Sequence, residues 1–308
     1  MVRSRPALLG ALVLALSLAL VGCTSETTPT GSRPGANGDD VAGPGRGSFT
    51  LPASDASGGE PVTVWYSAPA GGAAGAEILI VLHGTGRDGE DYLDDWVPLV
   101  RGRDVLVLAP EFSDEQFPGS QGYNLGNVAD GDGDLRPERE WSFQVVEDLF
   151  DHVRDDVGSD QEGYDMYGHS AGAQFVHRFL TLMPRSRVNR AVAANAGWYT
   201  ELDDSIPFPY GLQDSPAREA EMEDVVSHDL TILLGADDTD STDDDLRRDD
   251  LSDEQGINRL ERGVNFYLTA REMASERSFD FDWSLVVQPG VGHSHEDMAA
   301  AAAPLLLG

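Results

Sequence analysis

The chain has 308 residues, of which 54 are acidic and 21 basic, and its formal net charge is −33. This balance argues against nucleic acid as a partner, because phosphate binding needs a basic surface. The chain contains no lysine, which excludes Schiff-base and pyridoxal enzymes and phosphate loops of the Walker type. Its single cysteine, Cys23, excludes internal disulfides and zinc cages built from cysteines.

The amino-terminal residues have the pattern of a targeting segment. Arg3 and Arg5 precede an apolar run from Ala7 to Val21 that is too short to span a bilayer comfortably. The run ends in Leu-Val-Gly-Cys23, which resembles the lipobox of bacterial lipoproteins, whose cysteine becomes the lipidated first residue. We therefore predict a signal peptide over residues 1–22 and an extracytoplasmic protein that a lipid on Cys23 anchors to the cell membrane. The alternative is an ordinary secretory signal with an incidental cysteine.

Residues 23–48 are rich in Gly, Pro, Ser and Thr and predict a flexible tether, because they carry too few apolar side chains to fold. Residues 49–308 then alternate strand-like and helix-like segments, as in a mostly parallel sheet covered by helices on both faces. The strand candidates are Pro61–Tyr66, Ile78–Leu82, Val105–Leu108, Tyr164–Tyr167, Arg190–Ala196, Leu230–Leu234 and Phe281–Val287. The helix candidates are Trp141–Val157, Ala171–Met183, Ile257–Ala274 and Glu296–Leu306.

A candidate nucleophile lies where one of these strands meets a helix. The sequence Gly168-His-Ser170-Ala-Gly172 fits the G-x-S-x-G elbow, a tight turn that presents a serine hydroxyl above the sheet. In proteins with this element, an acid and then a histidine follow the serine along the chain. His293 follows the last strand and is the predicted base, with His295 as the alternative.

The orienting acid is expected just after the strand Leu230–Leu234, where the chain reads Gly235-Ala-Asp-Asp-Thr-Asp240. We predict Asp238, and Asp237 and Asp240 remain alternatives. For the oxyanion hole we predict the backbone N–H groups of Thr85, with Gly84 as second choice, and of Ala171.

Together these motifs resemble the alpha/beta-hydrolase superfamily, and within it secreted esterases and polyester depolymerase-like hydrolases of a bacterial lipoprotein branch. The resemblance implies an eight-stranded sheet and hydrolysis of small-molecule or polymeric carboxylic esters through an acyl-enzyme. A serine peptidase of the same fold and a non-catalytic ligand-binding lipoprotein are the alternatives. Trp198 and Tyr199 are predicted to line the substrate cleft, although a packing role is an equal alternative.

No cofactor and no metal site is predicted. The alternating acids Asp130, Asp132 and Asp134 suggest a calcium loop, but Leu135 and Trp141 stand where an EF-hand needs glycine and glutamate. An EF-hand is therefore excluded, and an irregular calcium site is the lesser alternative to an acidic surface loop.

The lipobox interpretation can be tested by replacing its cysteine. Cys23→Ser removes the thiol that would be lipidated, so the protein should move from the membrane fraction to the soluble fraction, with its folded domain unchanged. Fractionation and immunoblotting of the two forms measure this. A variant that stays with the membranes would contradict the prediction.

Overall fold

A computed structural model describes residues 43–308, which form an eight-stranded sheet. The strands are β1 (Gly45–Leu51), β2 (Val62–Ala68), β3 (Glu77–Leu82), β4 (Val105–Pro110), β5 (Tyr164–His169), β6 (Val188–Ala194), β7 (Asp229–Gly235) and β8 (Ser284–Gln288). They lie in the order β1-β2-β4-β3-β5-β6-β7-β8. The pairs β1–β2 and β2–β4 are antiparallel, and the six neighbouring strands β4-β3-β5-β6-β7-β8 are parallel to one another.

Eight α-helices connect or follow these strands in the described part of the chain. They are α1 (Gly89–Trp96), α2 (Gly119–Gly122), α3 (Gln144–Val157), α4 (Ala171–Leu182), α5 (Met222–Val226), α6 (Asp250–Gln255), α7 (Arg259–Arg277) and α8 (His295–Leu306). The predicted strands and helices therefore exist, with ends that differ by a few residues. The structure adds β1, α1, α2, α5 and α6, which are short or lie at an edge.

Helices cover both faces of the sheet, and the central strands supply apolar side chains to each. In β3, Ile78, Ile80 and Leu82 pack on the face covered by α3, α4, α5 and α7. The intervening Leu79 and Val81 pack on the face covered by α1 and α8. Since successive side chains of a strand point to opposite faces, a continuous aliphatic run is what a doubly covered strand requires.

The predicted boundary between tether and domain, at Phe49, lies within the first strand of the sheet. β1 begins at Gly45 and pairs with β2 from Gly45 opposite Ala68 to Leu51 opposite Val62, so residues 45–48 belong to the sheet. An edge strand is held by backbone hydrogen bonds and needs few apolar side chains. Composition alone therefore could not distinguish its first residues from a tether.

The signal peptide, Cys23 and residues 24–42 of the predicted tether lie outside the described residues. Within residues 43–308, no helix is both long and apolar enough to cross a membrane.

Candidate active site

The turn between β5 and α4 is built around two glycines. A Cβ atom on Gly168 would lie 2.2 Å from the carbonyl oxygen of Gly172, and a Cβ on Gly172 would lie 2.2 Å from that of Leu82. Both distances are far below van der Waals contact, so neither position accepts a side chain. Between them Ser170 has φ 55° and ψ −113°, a conformation that few non-glycine residues adopt. The turn thus holds Ser170 in a strained conformation at the amino end of α4.

Three predicted residues meet at this turn in one chain of hydrogen bonds. The Nε2 atom of His293 lies 3.1 Å from the Oγ atom of Ser170. The Nδ1 atom of the same ring lies 2.7 Å from Oδ2 of Asp238. Because an ionised carboxylate only accepts, Nδ1 carries the proton and Nε2 is left to accept from the serine hydroxyl. This arrangement has the geometry that a general base and its nucleophile require.

The structure distinguishes among the three candidate acids. Asp238 is 4 % exposed and faces His293, whereas Asp237 and Asp240 are exposed. The carboxylate of Asp240 accepts from the backbone N–H and the hydroxyl of Thr242, so it is used by its own turn. Only Asp238 among the three contacts the imidazole.

A buried arginine lies behind Asp238. The Nη1 atom of Arg259, at the first position of α7, lies 3.5 Å from Oδ1 of Asp238 and 2.7 Å from Oδ2 of Asp243. The arginine side chain is 1 % exposed. Asp243 comes from the acidic loop that follows Asp238, and the guanidinium links that loop to the base of α7.

The alternative base, His295, belongs to a second pair. Its Nδ1 atom lies 2.5 Å from Oδ2 of Asp95 in α1, and its ring stacks on Tyr92 with centroids 4.9 Å apart. Tyr92 in turn contacts Nδ1 of the buried His169 through its hydroxyl, at 2.9 Å. The ring of His169 packs against that of His293, with centroids 4.7 Å apart. Burial, and then the charges of neighbouring basic groups, hold the pKa of His169 well below its usual value, so this ring is a neutral wall of the site.

The loop after β3 passes close to the nucleophile. A Cβ on Gly84 would lie 3.6 Å from Cβ of Ser170. The buried ring of His83 fixes this loop, since its Nε2 accepts from the N–H of Phe112 and its Nδ1–H donates to the carbonyl of Gly84. Burial lowers the pKa of His83 to about 4, which keeps the ring neutral and both bonds intact. Thr85 is exposed at the tip of the turn.

Ala171 is the first residue of α4, so its N–H has no acceptor within the helix. The positive end of the helix dipole lies at the same place. Both predicted oxyanion donors are therefore on backbone segments that approach Ser170.

The structure places Trp198 and Tyr199 in packing positions, the role that the sequence left open as an equal alternative to lining the cleft. Tyr199 is fully buried and stacks on Phe266 of α7, with ring centroids 4.4 Å apart. Trp198 is 3 % exposed and lies between two guanidinium groups, those of Arg178 at 4.1 Å and Arg247 at 4.7 Å from the ring centroid. Both aromatics pack the segment that follows β6. An aromatic pair after a strand has the same sequence pattern in either role.

The suspected calcium loop is a turn that binds its own backbone. Oδ1 of Asp130 accepts from the N–H groups of Asp132 and Asp134, at 2.9 and 3.0 Å. Across residues 43–308, no group of three or more His, Cys, Asp or Glu side chains is arranged to hold a metal ion.

Sequence reasoning missed Arg259, Asp243, Tyr92 and Asp95. The cap residue Asn258 marks the start of α7, but nothing in the sequence indicates that the next side chain turns inward. The acidic run 237–245 likewise gives no sign of which second acid is bound.

Comparison with solved structures gives relatives that are named as hydrolases. The chain is 43 % identical to poly(aspartic acid) hydrolase-1 from Sphingomonas sp. KT-1, over 86 % of this chain and 99 % of that one, with a TM-score of 0.83. It is 32 % identical to LpqC, a poly(3-hydroxybutyrate) depolymerase from Bordetella parapertussis, over 85 % and 89 % of the two chains, with a TM-score of 0.81. The siderophore hydrolase EstB from Aspergillus nidulans shares the fold at 17 % identity over 86 % and 95 % of the two chains, with a TM-score of 0.53.

No protein-family model matches the chain, and no curated protein sequence matches it. The structural relatives are hydrolases of one fold, and two of them exceed 30 % identity over most of their length. The chain belongs to the alpha/beta-hydrolase superfamily.

The close backbone contacts at Gly168 and Gly172 predict that a side chain at either position lowers the stability of the domain. Gly172→Ala places a methyl group against the backbone of Leu82, so we expect the free energy of unfolding to fall by about 1–3 kcal/mol or more. Thermal and denaturant unfolding measure the change. Gly131→Ala is the matched control, because a Cβ there meets nothing within 4 Å. Equal stability of the two variants would mean that the turn relaxes without cost.

Proposed function

We propose that this hydrolase cleaves carboxylic esters through an acyl-enzyme formed on Ser170. The observation that carries the proposal is the continuous hydrogen-bond chain from Ser170 through His293 to Asp238. A serine hydroxyl is a weak nucleophile by itself and needs an adjacent base that a third group holds in place. The two distances, 3.1 and 2.7 Å, meet that requirement.

The proposed reaction begins when Nε2 of His293 takes the proton of the Ser170 hydroxyl. The serine oxygen attacks the ester carbonyl, and the protonated imidazole then gives its proton to the departing alcohol. Asp238 stays ionised, fixes the ring and stabilises its positive charge. In the second half a water molecule attacks the acyl carbon while Nε2 of His293 takes its proton. The bond to the serine oxygen then breaks, the imidazolium returns the proton to that oxygen, and the acid product leaves.

The negative charge that develops on the carbonyl oxygen needs donors that are already in place. We assign this role to the N–H groups of Thr85 and Ala171. The assignment of Thr85 is supported by the close approach of the loop at Gly84 to Ser170. The assignment of Ala171 is supported by its place as the first residue of α4, whose N–H has no acceptor within the helix. The buried ring of His83 supports the loop at Gly84 through its bonds to the Gly84 carbonyl and the Phe112 N–H.

The bond that is cleaved has two candidates. A relative with 32 % identity is named for depolymerising a polyester, and one with 43 % identity is named for hydrolysing poly(aspartic acid), a polyamide. The second name favours amide hydrolysis by the same residues as the alternative function, in line with the peptidase alternative from sequence. We place esters first because alcohols leave more readily than amines.

The lipobox pattern supports a proposed location outside the cytoplasm with Cys23 as the anchor. A tethered hydrolase at the cell surface would act on small or polymeric substrates that cannot enter the cell.

Substitution of the three residues tests the mechanism. Ser170→Ala and His293→Ala should each lower kcat on a p-nitrophenyl ester by roughly a million-fold, with little further loss in the double variant, because the groups act as a unit. Asp238→Asn should cost less, roughly ten-thousand-fold. Steady-state kinetics measure these losses, and a fluorophosphonate probe should label Ser170 only while His293 is present.

Neighbouring residues supply the controls. His295→Ala removes a histidine that lies two positions from His293, and Asp237→Asn removes the same charge as Asp238→Asn from an exposed position. Both variants should keep most of the activity. If the severe losses followed His295 or Asp237 instead, the assignment of base or acid would be wrong, and a chain that no probe labels would be a binding protein.

A pair of polymers tests the bond. Poly(3-hydroxybutyrate) and poly(aspartic acid) should be offered to the wild-type protein and to Ser170→Ala, with released acid or amine titrated. Serine-dependent release from the polyester, faster than from the polyamide, is the expected result. Release from poly(aspartic acid) alone would make amide hydrolysis the function.

A further inference from the structure

The carboxylate of Asp238 contacts His293 on one side and a buried cation on the other. Oδ2 faces the imidazole at 2.7 Å, and Oδ1 lies 3.5 Å from Nη1 of Arg259. The backbone of α7 reaches the same residue, since the N–H of Leu260 donates to the carbonyl of Asp238 at 3.3 Å. The start of α7 therefore holds Asp238 through both main chain and side chain.

Arg259 is shared with a second acid. The same Nη1 atom lies 2.7 Å from Oδ2 of Asp243, whose side chain is 28 % exposed. Partial burial opposes ionisation of Asp243, but hydrogen bonds from the N–H of Asp245 and from Arg259 hold its pKa below the usual value. Two carboxylates thus share one guanidinium nitrogen on the side of Asp238 away from the imidazole, with one net negative charge among the three groups.

The charge of Arg259 also reaches the histidines in front of it. It contributes to the lowered pKa of His169, after burial and the effects of His293 and His295. The ring of His169 packs directly on that of His293. On its other side, His293 is separated from the Arg259 guanidinium by the Asp238 carboxylate alone.

We propose that Arg259 is a positioning residue that holds Asp238 against His293. Its positive charge disfavours the protonated imidazole, and the negative charge of Asp243 weakens this effect. The inference rests on the proposed function for its meaning in catalysis. Arg259 touches no reacting atom and acts through Asp238. Asp243 neutralises part of the guanidinium, so that His293 can still carry a proton to the leaving group.

Other groups that face His293 stay constant in the test. The Ser170 hydroxyl and the neutral His169 ring of β5 contact His293 directly. Tyr92 of α1 and His295 of α8 lie against His169, and Asp95 of α1 lies against His295. The two changes to be made lie only on the side of α7 and the loop after β7.

The proposal predicts shifts of opposite sign for the two partners. Arg259→Gln removes a cation and leaves two carboxylates, so the imidazole should be protonated more easily, and the acid limb of the kcat/KM profile should move up by roughly half to one pH unit. Asp243→Asn leaves the cation less neutralised, so the limb should move down by a similar amount. Arg259→Lys keeps the charge and should return the limb toward that of the wild type. Both Arg259 variants should lower kcat, because neither holds Asp238 with a guanidinium.

The matched control is Asp244→Asn, which removes the same charge from an exposed neighbour. It should leave the profile unchanged. Because loss of a buried arginine can unfold the domain, Asp243→Asn carries the test by itself if Arg259→Gln is not folded. An unchanged limb in Asp243→Asn, or equal shifts in Asp243→Asn and Asp244→Asn, would overturn the proposal.

A second readout separates this proposal from the proposed function. The NMR titration midpoint of the His293 ring, assigned by its loss in His293→Gln, should shift in the same directions in the same variants. If the wild-type protein shows no serine-dependent turnover, the proposed function fails, and the midpoints still decide the role of Arg259. If turnover depends on Ser170 but the midpoints do not move, only the positioning role fails.

Discussion

The close approach of three backbone segments at the turn after β5 is the constraint on which the site depends. Gly168, Gly172 and the carbonyl of Leu82 leave no room for a side chain, so β3, β5 and the start of α4 meet at backbone contact. This contact fixes the position of Ser170 and brings the loop at Gly84 beside it. The strain at Ser170 persists because the elements that flank it, β5 and α4, are buried along their length and fix the path of the turn.

The second organising feature is the use of arginine inside a very acidic protein. The formal charge is −33, yet three arginines, Arg178, Arg259 and Arg262, are among the largest fully buried side chains of residues 43–308. Arg262 donates to the carbonyl oxygens of Gly256 and Gly197, and Arg178 to those of Asn124 and Gln174. Arg262 thus joins α7 to the segment that follows β6, and Arg178 joins α4 to the segment that follows α2. Arg262 also pairs with the carboxylate of Asp253, but Arg259 differs because one of its carboxylate partners, Asp238, faces the histidine.

Much of the fold could be predicted because its causes are local. Continuous aliphatic runs mark doubly covered strands, and the glycine spacing around Ser170 marks the turn, so the positions of Ser170 and His293 at strand ends could be predicted from sequence. Asp238 could be preferred over Asp237 and Asp240 from sequence, but the alternatives stayed open, since the choice depends on which carboxylate turns toward the ring in three dimensions. The same holds for Trp198 and Tyr199, whose burial depends on Arg178, Arg247 and Phe266 from distant parts of the chain. The edge strand β1 was missed because backbone pairing leaves little trace in side-chain composition.

The direction of β1 has a consequence for where the domain can be attached. β1 runs antiparallel to β2, and β2 antiparallel to β4, so β1 points the same way as the parallel strands. Gly45, the first residue of β1, therefore lies at the amino ends of the parallel strands, whereas Ser170 follows the carboxyl end of β5. A domain held by the chain that precedes Gly45 is held from its back. An attachment made through the amino-terminal side of the domain, to a solid support for example, would therefore lie at the end of the sheet away from Ser170.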